Sequence, residues 1–66
     1  MKGEAKKIID LIIKQRAHGD PTLTTLTKTK LLLKGIDTAK YTENSEDDAF
    51  IVNKIKGIAR ELSVTI

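Results

Sequence analysis

Four carboxylates fall within six residues, at Glu43, Glu46, Asp47 and Asp48. That many oxygen ligands can hold a hard cation. The spacing does not follow that chemistry, because the alternating ligands, loop glycine and terminal glutamate of an EF-hand are missing. Acidic residues just before an apolar helical repeat instead suit the positive end of a helix dipole. The single histidine, His18, has Asp20 two residues away, but no nucleophile or second base accompanies it. Its place after an apolar repeat fits an imidazole near the last carbonyls of a helix. There is no cysteine, hence no disulfide and no thiolate metal site. The four glycines stand apart at positions 3, 19, 35 and 57, so no glycine-rich phosphate loop forms. Sixty-six residues also leave little room for a water-excluded cleft. The expectation is a non-enzyme with no catalytic residue, no cofactor and no metal.

A second chemistry lies in the central stretch Pro21–Ile36, PTLTTLTKTKLLLKGI. Threonine hydroxyls, lysines and the N–H groups of a helix N-terminus all bind phosphate oxygens. Lys28, Lys30 and Lys34, joined by Arg16 and Lys14, therefore form a candidate nucleic-acid face. The charge is uneven in the same sense. Residues 1–40 hold nine basic against four acidic side chains, and residues 41–66 hold three against five. The net charge of +3 is nevertheless modest for a polyanion binder. The usual base-edge readers Asn, Gln and Arg do not occur between Pro21 and Ile36. One Tyr, one Phe and no Trp provide no stacking platform for single strands.

Three helices must position these groups. The first is predicted over 3–17, with Ala5, Ile8, Ile9, Ile12 and Arg16 sharing a face and Leu11 and Ile13 on its flanks. Asp10 and Lys14 are spaced for an i,i+4 pair. Gly19 supplies a left-handed stop, Asp20 an N-cap and Pro21 a first helical position. The second helix is predicted over 21–34. Its five threonines favour a strand, but Leu23, Leu26, Leu33 and Ile36 recur at helical spacing and define its expected inner face. Its end reads as a Schellman motif, with Gly35 left-handed and Leu31 and Ile36 as the apolar pair. Asp37 is placed to cap a short helical turn over 37–41, with Tyr41 at the core edge. The third helix is predicted over 46–63, with Ser45 as N-cap and Ile51, Ile55, Ile58 and Leu62 as its seam, widened by Val52 and Ala59. The fold class expected is an all-α three-helix small domain, a single domain over 1–66.

Some apolar residues exceed what three such faces would bury. Leu11, Leu31, Leu32 and Phe50 lie off the expected stripes, and Gly57 costs helix stability, for which the close approach of another backbone is one reason. These five residues are the candidate partner-binding set, for a protein partner or a homodimer. Ile58–Thr65, IARELSVT, resembles the first helix and turn of bacterial helix-turn-helix domains, through Ala59, Leu62 and Val64. Residues 1–66 contain no recognition helix after it, so the resemblance carries over no DNA reading. No apolar run approaches a membrane span and Met1–Glu4 opens no signal sequence, so a soluble cytoplasmic protein is expected.

Overall fold

A computed structural model describes residues 2–65 as α1 (Glu4–Ala17), α2 (Pro21–Leu33), a 3₁₀ turn (Thr38–Lys40) and α3 (Ala49–Glu61). The expected all-α three-helix architecture is the one observed. α1 is the hub: α2 and α3 both pack on it, and they touch each other little. Its buried residues Ala5, Ile8, Ile9 and Ile12 meet Leu31, Ile36, Val52, Ile55, Ile58, Ala59 and Val64 in one core.

The start of α1 is made by a distant part of the chain. Gly3 takes a left-handed conformation (φ 73°), and a Cβ there would lie 2.7 Å from the Glu43 carbonyl oxygen. No neighbouring side chain caps the helix. The Asp47 carboxylate, buried and 42 residues away in sequence, accepts the Ala5 N–H at 3.2 Å. The Gly3 N–H donates to the Ser45 carbonyl at 3.2 Å, within an isolated bridge between Lys2 and Glu46. Asp10 pairs back to Lys6 at 2.9 Å rather than forward to Lys14.

That stitching corrects the predicted start of the third helix. Ser45 is not its N-cap; its hydroxyl donates to the Thr42 carbonyl at 2.9 Å in a preceding turn. Asp48 is the N-cap, accepting the Ile51 N–H at 2.8 Å, and α3 begins at Ala49 rather than at 46. The residues before it are needed outside the helix to bring Asp47 to α1.

α2 is helical despite its threonines, and their hydroxyls are satisfied within the helix. The hydroxyls of Thr24, Thr25, Thr27 and Thr29 donate to the carbonyls four residues earlier, at 2.8–3.1 Å. Asp20 caps the start, accepting the N–H groups of Thr22 and Leu23 at 2.8 and 3.1 Å. The end is the expected Schellman motif: Gly35 has φ 93°, its N–H donates to the Leu32 carbonyl at 2.9 Å, and the Ile36 N–H donates to the Leu31 carbonyl at 2.8 Å.

α3 ends the same way, two residues before the predicted limit. Ser63 takes the left-handed position (φ 59°), and the Val64 N–H donates to the Ala59 carbonyl at 2.8 Å. Val64 is thereby buried. The Gln15 carboxamide then grips the Thr65 backbone, accepting its N–H at 2.9 Å and donating to its carbonyl at 2.6 Å. Ile66 lies outside the described residues. The 3₁₀ turn is capped by Asp37, which accepts the Ala39 N–H at 3.0 Å, and half-buried Tyr41 packs on the core.

Candidate interaction surface

The roll of α2 decides which of its side chains face out. In its Schellman ending the residue three from the C-terminus packs against the residue just beyond the left-handed one. Those residues are Leu31 and Ile36, and both are completely buried. With Leu31 inward, the residues one and two turns earlier, Thr27 and Thr24, must lie on the same side. Thr27 is indeed buried and Thr24 half-buried. At 100° per residue, Leu23 is about 80° from Leu31, Leu26 about 140° and Leu33 about 160°. Their exposures rise in that order, at 41%, 52% and 82%. The inner face expected from the leucines is therefore corrected: three of its four members point to solvent, and only Ile36 is core.

The sequence-derived partner set divides accordingly. Leu31 is corrected to a core residue and offers no surface. Leu11, Leu32 and Phe50 are exposed, Phe50 at 74%, but they occupy separate places. Leu11 lies among Lys7, Asp10 and Lys14 on the outside of α1. Leu32 lines a shallow pocket with Thr25, Lys28 and Thr38. Phe50 stands at the start of α3, two helical turns from Gly57. A Cβ at Gly57 would meet no atom within 4 Å, so no close backbone approach within the domain calls for this glycine.

What the leucines do form is a line. Leu23, Leu26, Lys30 and Leu33 are spaced 3, 4 and 3 residues apart along α2 and are all exposed. Lys30 sits inside that line, between Leu26 and Leu33. Lys28 and Lys30 make no ion pair among the described residues, whereas Lys34 bridges to Glu61. Pro21–Ile36 contains no acidic residue. The sequence missed Leu23, Leu26 and Leu33 as surface because apolar periodicity alone assigned them to the core. The Schellman signal in the same stretch points the other way.

The nucleic-acid set is placed as follows. Arg16, Lys28, Lys30 and Lys34 are all exposed. The groups that were to help them are otherwise engaged. Asp20 occupies the N–H groups at the start of α2, and four threonine hydroxyl protons point to backbone carbonyls. Phosphate oxygens are acceptors and need those donors. The acidic cluster is likewise dispersed: Asp47 serves α1, Asp48 caps α3 and Glu46 faces Lys2 at 3.7 Å. Among the described residues no group of three His, Asp or Glu side chains could hold a metal, and no helix is long and apolar enough to cross a membrane. Compared with protein-family models, curated proteins and solved structures, the chain matches none.

Proposed function

We propose that this protein is a small non-catalytic interaction domain that docks a protein partner on the outer face of α2. The observation that carries the reading is the exposed line Leu23, Leu26 and Leu33 on a helix whose inner side already fills the core. Scattered exposed leucines are ordinary on a protein surface, but a row of them along one helix is the form in which helices dock in grooves or on each other. The electrostatic alternative, nucleic acid bound through Arg16, Lys28, Lys30 and Lys34, has less support. The N–H and hydroxyl donors beside these cations are already in use, and the leucines would have no role in it.

Site-specific photo-crosslinking in the cells that make the protein tests the reading. A crosslinker at position 26 or 33 is expected to give one discrete protein adduct, lost when Leu23→Glu is added. A crosslinker at Lys56, on α3, is expected to give none. Equal labelling from all three positions would remove α2 as the docking face.

A further inference from the structure

Resting on that reading, we infer that the partner presents an amphipathic helix whose apolar ridge carries a carboxylate, and that this carboxylate meets Lys30. The position of Lys30 carries the inference. It lies within the leucine line rather than beside it, four residues after Leu26 and three before Leu33, and no carboxylate of this chain pairs with it among the described residues. A helix covering Leu23, Leu26 and Leu33 also covers the stem of Lys30, which leaves the ammonium at the edge of the covered surface. A carboxylate on the covering helix at that place offsets the water the ammonium loses. No acidic residue lies between Pro21 and Ile36, so α2 itself sets no negative charge against an acidic segment approaching Lys30.

The same position disfavours the other occupants. Helices that lie in a membrane surface keep their cations on the face opposite the apolar one, whereas Lys30 lies within the apolar line. Two copies joined α2 to α2 would set lysines against lysines. An α2 of 13 residues spans about 20 Å, so the contact falls at the small end of specific interfaces and should be reversible.

The test is a ¹⁵N-HSQC titration of the full chain with four probes. These are a helical Leu/Ala/Glu model peptide with one glutamate inside its leucine ridge, the same peptide with lysine at that position, phosphatidylglycerol vesicles, and a mixed-sequence DNA duplex. The expected result is that the glutamate peptide shifts amides from Leu23 to Lys34 and binds about tenfold more tightly than the lysine peptide. Lys30→Glu should reverse that preference without unfolding the domain, since Lys30 is exposed. If Leu26→Glu abolishes peptide binding while Lys30→Glu changes neither peptide, the docking face stands and the carboxylate inference is overturned. Shifts of the same amides by vesicles or DNA, with none from the peptides, overturn it in favour of a membrane or a polyanion. If no probe shifts α2 but the crosslinked adduct persists, the inference fails while the docking reading survives. Loss of that adduct fails both.

Discussion

α2 and α3 are both 13-residue helices, both pack on α1, and both end in a Schellman motif. They use their apolar residues in opposite ways. α3 buries Val52, Ile55, Ile58 and Ala59, with Ile51 and Leu62 half-buried beside them. α2 buries Leu31 and a threonine, and turns Leu23, Leu26 and Leu33 outward. The difference teaches that hydrophobicity does not by itself fix which side of a helix is inside. Burying Thr27 costs little, because its hydroxyl is satisfied by the Leu23 carbonyl at 2.8 Å. The roll is set by the Leu31–Ile36 pair, which cannot enter the core unless Thr27 does too.

The sharpest test of this contrast is a pair of truncations within α2. Leu31→Ala should destabilise the domain by about 2–5 kcal/mol, as should Ile55→Ala on α3, because both side chains are completely buried. Leu33→Ala should change the unfolding free energy measured in urea by less than about 0.5 kcal/mol. Equal losses from Leu31→Ala and Leu33→Ala would mean that the helix is rolled the other way.

The two helix ends come next. Gly35 and Ser63 occupy equivalent left-handed positions, one suited to the residue and one not. Gly35→Ala should cost about 1–2 kcal/mol for the left-handed backbone, and the Lys54 ammonium, 2.7 Å from the new Cβ, can swing away. Ser63→Gly should stabilise by a few tenths to about 1 kcal/mol. Thermal melts of the two variants should therefore move in opposite directions. Matching shifts would show that the ends are not equivalent.

On α3 itself, Gly57→Ala should stabilise by about 0.5–1 kcal/mol, since the new methyl meets open space and the helix gains propensity. A loss of stability in chemical denaturation would reveal a close neighbour there. The smallest effect expected is from the ion pair joining the ends of the two helices. Lys34→Ala should change stability by under about 1 kcal/mol, and added salt should shrink the difference, because both partners of the Lys34–Glu61 bridge are well exposed.

Much of the fold was legible in the chain. The apolar repeat of α1 and α3, the Gly19–Asp20–Pro21 break and the Gly35 stop all place helices near where they occur, because these signals act over one or two turns. The start of α3 was not legible. Ser45 and Asp48 satisfy a capping pattern locally, and nothing nearby shows that Asp47 is required 42 residues away at Ala5. The roles of Gly3 under the Glu43 carbonyl and of Gln15 on Thr65 were missed for the same reason. Of the candidate surface, Leu11, Leu32 and Phe50 were identified as exposed, Leu31 was misplaced, and the leucine line itself was assigned to the core.

The sequence by itself determined that this is an all-helical chain with three helical segments, their approximate ends, and a central segment rich in lysine and free of carboxylates. Those properties follow from periodicity, capping residues and composition, which are local. Only the tertiary structure decided which side of α2 faces α1. Two signals in that segment, the leucine spacing and the Leu31–Ile36 pair, demand incompatible rolls. Leu33 and Leu26 lie about 140–160° round the helix from Leu31, so no single roll of α2 against α1 buries both sets. The helix-end motif prevails, and the leucines that lose the core become the surface on which Lys30 stands.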